Sequence, residues 1–437
     1  MSTTTLIEPR WLIPVEPAAT VLEAHAVVIE DGRILDVLPA SSAAARFPAA
    51  ERIVLAEHAL IPGLVNLHTH AAMTLMRGMA DDRPLMDWLQ NYIWPAEAQL
   101  VSDEFVYDGT LLACAEMLRG GITCFNDMYF FPEAAARAAL RAGMRAALGI
   151  IAIEFRSAYA SDAQDYLAKG IAVRDTLRDE PLLSFCLAPH APFTVSDATF
   201  AQIAIYAGEL DIPVHIHIHE TAREISESVA QHGVRPLARL EKAGLLGPGL
   251  IAVHGVHLDD REIALFARHG CSIAHCPSSN LKLASGIAPV ARLLQEGINI
   301  GLGSDSAASN NRLDLFAEMR LAALLAKGSS GDATVMPAQR ALECATLGGA
   351  RALGLQDRIG SIVPGKLADL TAVNLSASAL SPCYDPISHL VYAAGREHVT
   401  DVWVGGERRL AGGEFTGLDE TVIKVRANQW KTKIRPS

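Results

Sequence analysis

Residues 214–220 read Val-His-Ile-His-Ile-His-Glu, and this alternation is the starting point for the fold of the chain. Side chains of a strand alternate between two faces, so the β-branched residues share one face and His215, His217 and His219 share the other. The β-branched alternation favours a strand over a helix. In a barrel strand one face points inward, so the segment predicts at least one histidine inside the barrel, with Glu220 just beyond the strand. The spacing alone does not show which of these three histidines is a ligand.

Short apolar runs of this kind alternate with helical stretches along most of the chain. Eight strands, each followed by a helix, predict a closed parallel (β/α)8 barrel, whose strands read as continuous apolar runs because both faces are covered. A doubly wound open sheet is the alternative, but no GxGxxG follows the first strand. The predicted strands are 60–67, 122–127, 145–153, 182–188, 212–219, 250–257, 271–274 and 298–303, and the clearest helices are 103–119, 132–142, 197–209 and 259–268.

Both ends of the chain have a different pattern, rich in short strands. Two alternating runs flank Asp31-Gly32, a dipeptide typical of tight hairpins. Residues 368–374 and 399–410 also have strand patterns with tight turns. We therefore expect the two ends to pair into one β-sandwich domain, formed by residues 1–60 and 363–437, beside a barrel domain of residues 61–362.

The composition of the chain limits the kinds of binding partner and the cellular location that we expect. The net charge of −12 argues against a nucleic-acid surface, which needs clustered Lys and Arg. The N-terminus lacks the pattern of a signal peptide, and the most apolar stretches are too short to span a bilayer. Seven cysteines without a CxxC pair indicate reduced thiols. We expect a cytoplasmic protein that binds neither nucleic acid nor a membrane.

Histidines and an aspartate follow several predicted strands at the end where barrel enzymes place their active sites. His68 and His70 end the first strand, where two imidazoles at positions i and i+2 lie about 6–7 Å apart and can bind one ion. His254 ends the sixth strand and Asp305 follows the eighth. Singly, these residues are also explained as polar loop residues, a buried core histidine and a helix N-cap. Together at one rim they predict a metal-dependent hydrolase.

Two other zinc signatures are excluded by what the sequence lacks. The stretch His219-Glu220-Thr-Ala-Arg223 resembles the start of the protease motif HExxH, but the second histidine is absent. The PCxxC that accompanies HxE in cytidine deaminases is also absent, so any deaminase activity here belongs to another fold.

The chain resembles the amidohydrolase superfamily over essentially its whole length. Within it, the chain is most similar to the 5′-methylthioadenosine/S-adenosylhomocysteine deaminases, which are relatives of the chlorotriazine hydrolases. The stretches that carry the resemblance are Ile61-Pro-Gly-Leu-Val-Asn-Leu-His-Thr-His70, His217-Ile-His-Glu220, Val253-His-Gly-Val-His-Leu258, His275-Cys-Pro-Ser-Ser-Asn280, Gly303-Ser-Asp-Ser306 and Gly360-Ser-Ile-Val-Pro-Gly-Lys-Leu-Ala-Asp-Leu370.

The resemblance implies one divalent metal ion, held by His68, His70, His217 and Asp305. Zinc is expected, although three histidines and a carboxylate also hold iron or manganese. Two-metal members of the superfamily bridge their ions with a modified lysine after strand four. Here that strand ends at His190, so a single ion is expected.

The same resemblance assigns the reaction and its residues. It implies that Glu220, His254 and Asp305 carry protons while the adenine of 5′-methylthioadenosine, S-adenosylhomocysteine or adenosine is deaminated by water, with release of ammonia. This is aminohydrolase chemistry on a cyclic amidine. The implied substrate contacts are Trp88, Glu97, Arg156, His190 and Glu220.

Three alternatives remain open from the sequence. Guanine or pterin deamination and s-triazine dechlorination keep the metal and change the substrate, since one fold hosts many substrates. A metal-free paralogue acting as a binding or assembly module is a more remote alternative, because the chain retains every implied ligand. The expected partner is a small nucleoside, and a homo-oligomer is expected as in related barrels. The roles of His215, His219 and His275 are left open.

Overall fold

The computed structural model describes residues 4–434, and its strands form two sheets. Strands β6 to β13 make an eight-stranded sheet in which neighbours follow chain order, and the other nine strands make a mixed sheet. The strands are β1 (Thr5–Leu12), β2 (Leu22–Glu23), β3 (His25–Glu30), β4 (Arg33–Pro39), β5 (Glu51–Pro62), β6 (Leu64–Thr69), β7 (Ile122–Asp127), β8 (Arg145–Ala152), β9 (Leu183–Pro189), β10 (Val214–Ile218), β11 (Leu250–His254), β12 (Ser272–His275), β13 (Asn299–Leu302), β14 (Leu370–Asn374), β15 (Val399–Val404), β16 (Glu407–Ala411) and β17 (Glu414–Phe415).

The eight-stranded sheet curls until its two edge strands meet. All its pairings are parallel. Just past the end of β13, the backbone N–H of Asp305 donates to the carbonyl of His68 in β6 over 2.9 Å. Gly303 makes this approach possible, because a Cβ there would lie 2.8 Å from the Cβ of His68. The predicted (β/α)8 barrel is therefore confirmed.

The predicted strands coincide with β6 to β13 within a few residues, except at the start. The predicted strand 60–67 covers the end of β5 and most of β6, which are separated at Gly63. The apolar run is continuous there because one strand of the mixed sheet passes directly into the first barrel strand, and the last four residues of β5 and all of β6 are buried.

The helices lie mainly between barrel strands, and capping residues explain where several begin and end. Ser102 accepts from the N–H of Phe105 at the start of α4, Asp259 forms a capping box before α10, and Gly143 ends α5 in the left-handed conformation. The helices are α1 (Ala40–Arg46), α2 (Leu85–Trp88), α3 (Trp94–Leu100), α4 (Asp103–Arg119), α5 (Pro132–Ala142), α6 (Ala163–Leu177), α7 (Asp197–Leu210), α8 (Ala222–His232), α9 (Pro236–Lys242), α10 (Asp260–His269), α11 (Pro277–Lys282), α12 (Val290–Gln295), α13 (Leu315–Ser330), α14 (Ala338–Glu343), α15 (Gly349–Ala352), α16 (Pro386–Tyr392) and α17 (Glu420–Lys431). Within residues 4–434, no helix is long and apolar enough to cross a bilayer.

The mixed sheet joins both ends of the chain in the order β17-β16-β15-β14-β5-β1-β3-β4, with β2 paired to β1. The predicted hairpin is present between β3 and β4, where Asp31 and Gly32 both have positive φ. A buried ion pair between Arg145 of β8 and Asp369 next to β14, 3.0 Å long, connects the barrel to this sheet. The division of the chain at residues 60 and 363 into two domains stays a prediction.

Candidate active site

Four side chains meet at the rim of the barrel where β6, β10 and β13 end. The Nε2 atoms of His68 and His217 lie 3.2 Å apart. Oδ1 of Asp305 lies 3.3 Å from Nε2 of His68 and 3.4 Å from Nε2 of His70. The structure thus brings together all four residues predicted to hold a metal ion, with their ligand atoms turned towards one another.

The outer ring nitrogens of two of these histidines are held by backbone carbonyls. Nδ1 of His70 donates to the carbonyl of Met128 over 2.6 Å, and Nδ1 of His217 donates to the carbonyl of His190 over 2.7 Å. A carbonyl only accepts, so the proton sits on Nδ1 and each Nε2 keeps a free lone pair. Burial also lowers the pKa of His217 well below its usual value, which keeps the ring neutral. These are the conditions that a metal-ligating imidazole needs.

His215 lies behind the cluster and contacts His68. Its Nε2 is 3.0 Å from Nδ1 of His68, while its own Nδ1 has no hydrogen-bond partner among residues 4–434. If His68 binds an ion through Nε2, its Nδ1 carries the proton and donates it to His215. His215 is therefore placed to orient His68, a role that its spacing in the sequence did not reveal.

Asp305 is held on both carboxylate oxygens. Oδ2 accepts from the hydroxyl of Ser279 over 2.6 Å, and Oδ1 accepts from the N–H of Ser306 over 2.7 Å. Burial acts to raise the pKa of Asp305, but hydrogen bonding with His68 and the attraction of His68, His70 and His254 together outweigh burial and keep the pKa well below the usual value. The residue has a φ of 60°, a conformation that costs about 1–3 kcal/mol and that these hydrogen bonds offset. Asp305 is therefore ionised, and it is not a helix N-cap.

Glu220 and His254 face each other beside this cluster. Oε2 of Glu220 is 3.7 Å from Nε2 of His254, and Oε1 accepts from the hydroxyl of Ser285 over 3.2 Å. Burial raises the pKa of Glu220, so the carboxyl group holds a proton more readily than a carboxyl in water. A buried carboxyl group with a raised pKa is suited to giving a proton to a bound substrate.

Two residues of α11 orient these groups. The sequence alone assigned no role to either of them. Oδ1 of Asn280 accepts from Nδ1 of His254 over 2.8 Å, which leaves Nε2 of His254 facing the site. One residue earlier, Ser279 makes the bond to Asp305 described above. The stretch His275-Cys-Pro-Ser-Ser-Asn280 therefore positions two groups that come from different strands. The resemblance of this stretch to the amidohydrolase superfamily was the signal available in the sequence.

Replacing Asn280 by Ala is expected to lower kcat by about 10- to 100-fold, because His254 loses the acceptor that fixes its ring orientation and its proton. The bound metal content is expected to stay unchanged. Leu281→Ala, at an exposed position of the same helix, is the matched control and should keep full activity. Steady-state kinetics and metal analysis of the two variants provide the comparison. Full activity in Asn280→Ala would show that His254 needs no such partner.

A pocket opens directly onto the cluster, with His70, His217, Glu220, His254 and Asp305 at its inner end. Apolar and aromatic side chains form most of the remaining wall, and they come from the segment that includes α2 and α3 and from the ends of β7, β8 and β9. Such a pocket, mostly apolar with a few convergent polar groups, is the usual form of a small-molecule site.

Besides Glu220, three of the predicted substrate contacts line this pocket. Trp88 lies in α2, Glu97 lies in α3, and His190 follows β9. Oε1 of Glu97 accepts from the hydroxyl of Tyr129 over 2.8 Å, and burial raises the pKa of Glu97 to about 7. Burial lowers the pKa of His190 to about 3, so its ring is neutral.

The fifth predicted contact, Arg156, is placed differently. Its side chain is exposed and is not among the residues that line the pocket, whereas its neighbour Phe155 is. A role for Arg156 in substrate binding stays a prediction.

The remaining histidines named from the sequence lie away from the reacting groups. Nε2 of His219 accepts from the N–H of Leu237 over 3.1 Å, and its Nδ1 is 3.3 Å from Glu262. These contacts hold β10 against α9 and α10. His275 is buried, and neither ring nitrogen has a hydrogen-bond partner within residues 4–434.

Comparison with known proteins agrees with this geometry. Residues 59–409 match the model of the amidohydrolase family. The chain is 46% identical over 436 residues to a 5-methylthioadenosine/S-adenosylhomocysteine deaminase of Teredinibacter turnerae, covering 99% of each chain. It is 50% identical to an adenosine deaminase from Xanthomonas campestris whose crystal structure contains zinc, with a TM-score of 0.98 over 100% of this chain and 99% of that one.

A more distant neighbour shows the fold alone. The atrazine chlorohydrolase TrzN of Arthrobacter aurescens, solved with zinc, superposes with a TM-score of 0.89 at 24% identity, over 97% of this chain and 99% of that one.

Proposed function

This chain belongs to the amidohydrolase family, and we propose that it is a zinc-dependent deaminase of adenine nucleosides of the 5′-methylthioadenosine and S-adenosylhomocysteine type. The observation that carries the proposal is the cluster of His68, His70, His217 and Asp305 at the inner end of a mostly apolar pocket, with Glu220 and His254 beside it. The relatives' names and the zinc in the Xanthomonas campestris structure support the same reading.

The donor set fits one zinc ion. Zinc in catalytic sites binds imidazole nitrogen and carboxylate oxygen and keeps a position open for water. The ligand atoms of His68, His70 and Asp305 lie within 4.8 Å of one another, and so do those of His68, His217 and His254. We assign the ion to His68, His70, His217 and Asp305, because His254 is turned towards Glu220 and is held there by Asn280. When bound, zinc supplies a water molecule whose pKa is lowered towards neutrality.

The protein's own residues then move three protons. His254 and Asp305 accept a proton from the attacking water, whose oxygen bonds to the ring carbon that carries the amino group. Glu220 gives its proton to the adjacent ring nitrogen, so that the ring does not accumulate negative charge during the attack. Asp305 passes the water's proton to the amino group, and the carbon–nitrogen bond breaks. Glu220 recovers a proton from the new hydroxyl, and the products are the hypoxanthine nucleoside and ammonia.

We infer that Glu97 binds the ribose hydroxyls and that Trp88 and His190 pack against or hydrogen-bond the nucleoside. Glu97 supports this role because it lies in the pocket wall with one oxygen engaged by Tyr129 and the other free to accept. A carboxylate accepts hydrogen bonds from neighbouring hydroxyls more strongly than a neutral acid does.

This role predicts a pH dependence of substrate capture. The pKa of Glu97 is raised to about 7, so the group ionises as the pH rises through neutrality. The value of kcat/KM should therefore rise with pH across that range, because the ionised form binds the hydroxyls better. The variant Glu97→Gln should have a raised KM and should lose this part of the pH profile. An unchanged profile in Glu97→Gln would show that another group causes the dependence.

The proposed activity is tested by a substrate panel: methylthioadenosine, adenosine, S-adenosylhomocysteine, guanine and a chlorotriazine. Ammonia or chloride release is measured with zinc-loaded protein. We expect ammonia from the adenine nucleosides. Ammonia from guanine alone, or chloride from the triazine alone, would contradict adenine nucleosides as the substrates. Either result would still support a metal-dependent hydrolase.

Two further predictions concern the protein's surroundings. We propose a cytoplasmic location, supported by seven free cysteines of which six are buried. We also propose a homo-oligomer that binds no nucleic acid. Light scattering of the purified protein, alone and with added nucleic acid, measures the oligomeric state and any binding of nucleic acid.

A further inference from the structure

We propose that Glu318, a buried residue of α13 behind the active site, is a positioning residue for both Asp305 and His254. Its carboxylate holds two segments of the chain in place at once. One is α11, and the other is residues 304–310, referred to below as the Asp305 loop. The inference rests on the proposed deaminase function and concerns a group that is not among the residues lining the pocket.

The carboxylate of Glu318 accepts one hydrogen bond from each of these segments. Oε2 accepts from the backbone N–H of Ser278, in the first turn of α11, over 3.0 Å. Oε1 accepts from Nδ2 of Asn310, in the Asp305 loop, over 2.8 Å. The residue is 1% exposed, so water does not compete for either bond. Glu318 therefore connects α13 to both segments.

The bond to Asn310 extends to the backbone next to Asp305. Nδ2 of Asn310 also donates to the carbonyl of Ser304 over 2.7 Å, and Ser304 directly precedes Asp305. Asp305 has a φ of 60°, a conformation that persists only where the surroundings fix it. Glu318 thus helps to hold the backbone from which the carboxylate of Asp305 points into the site.

The bond to Ser278 fixes the start of the helix that orients the reacting groups. Ser279 donates to Oδ2 of Asp305 over 2.6 Å, and Asn280 accepts from Nδ1 of His254 over 2.8 Å. The N-cap residue of α11 supplies no side-chain hydrogen bond, so an N–H of its first turn needs an acceptor from elsewhere. Glu318 supplies that acceptor, and through α11 it acts on both catalytic groups.

Of the two side chains with this shape, only glutamate serves both donors. Glutamine has one acceptor oxygen and one NH2 group, so it can accept from Ser278 or from Asn310 but not from both. Burial raises the pKa of Glu318 to about 7, and the charge of Asp314 acts in the same direction. A carboxylate buried in this way lowers the stability of the fold when it is ionised. This cost indicates a role in placing the site rather than in stabilising the protein.

The inference is tested by comparing zinc-loaded Glu318→Gln with the unmodified protein. We expect kcat for methylthioadenosine to fall by about 10- to 100-fold, the usual effect of losing a residue that orients groups at a metal site. KM should stay unchanged, because the residues proposed to hold the nucleoside belong to other segments. Zinc should remain at one per chain. The Tm of the metal-free protein should shift by less than about 3 °C, because removal of a buried charge offsets the lost hydrogen bond.

Arg320→Gln is the matched control, since Arg320 is exposed on the same helix, and it should behave as the unmodified protein. Unchanged kcat in Glu318→Gln would overturn the inference. A large fall in Tm together with loss of zinc and a raised KM would also overturn it, because those changes indicate a general structural role. Absence of ammonia release from the unmodified protein would instead overturn the proposed function.

Asn310→Ala tests the connection separately, without a change in α13. We expect this variant to lower kcat by about tenfold with KM unchanged. The double variant Glu318→Gln/Asn310→Ala should lose less activity than the product of the two single losses, because both changes break the same connection to the Asp305 loop. Losses that multiply in full would show that Glu318 does not act through Asn310 and would contradict the proposal.

Discussion

Replacing Glu220 by Gln is expected to lower kcat by about 10²- to 10⁴-fold while zinc stays bound, because Gln keeps the shape of the side chain but has no acidic proton to give. Burial raises the pKa of Glu220, whose Oε1 accepts from the hydroxyl of Ser285 and whose Oε2 lies 3.7 Å from Nε2 of His254. Without the proton, attack on the ring carbon leaves negative charge on the adjacent nitrogen.

The measurement is a pair of assays on the same preparation, ammonia release and zinc content. Glu227→Gln is a suitable control, since Glu227 lies in α8 close by in the chain but is exposed and is paired with Arg223. This control should behave as the unmodified protein. Near-normal turnover by Glu220→Gln would remove Glu220 from the mechanism.

Replacing His70 by Ala is expected to abolish stoichiometric zinc binding and, with it, nearly all turnover. Among the proposed ligands, we choose His70 because its ring is partly exposed to the pocket, whereas that of His68 is fully buried. Loss of one of four ligands leaves three donors, and the affinity for zinc falls accordingly.

His254→Ala is the informative comparison for this variant. His254 lies near enough to His68 and His217 to share an ion with them, so distance alone leaves it as a possible ligand. We expect His254→Ala to retain one zinc per chain and to lose turnover. Zinc loss in His254→Ala together with zinc retention in His70→Ala would reverse the assignment of ligand and proton carrier.

The barrel was predictable because its strands and helices differ in the period of their apolar residues, and that period is local information. The helix 103–119 was predicted to the residue since Ser102 caps its start and Gly120-Gly121 follow its end. The first barrel strand was predicted too early, because the apolar pattern does not record where β5 leaves one sheet and β6 enters another.

The active site was predictable in its residue types and less so in its geometry. Alternation placed His215, His217 and His219 on one face, yet of these three His217 is the one that joins the cluster with His68, His70 and Asp305, while His215 contacts His68 from behind. His219 has a φ of 56°, which turns its ring towards Glu262, and a regular strand pattern does not predict that turn.

Residues that position others were the hardest to find from the sequence. Asn280, Ser279 and Tyr129 act through hydrogen bonds to His254, Asp305 and Glu97, and each bond joins positions far apart in the chain. Sequence patterns carry little information about such partners, because they depend on how the strand ends and loops fold back over the barrel.

We propose that one zinc ion at this cluster enables the chain to deaminate an adenine nucleoside. The most direct test is ammonia release from methylthioadenosine by protein stripped of metal with a chelator and then titrated with zinc. We predict no release from the stripped protein and full recovery at one zinc per chain, with one ammonia formed for each hypoxanthine nucleoside. Absence of ammonia at one zinc per chain, or recovery only at two, would contradict the account.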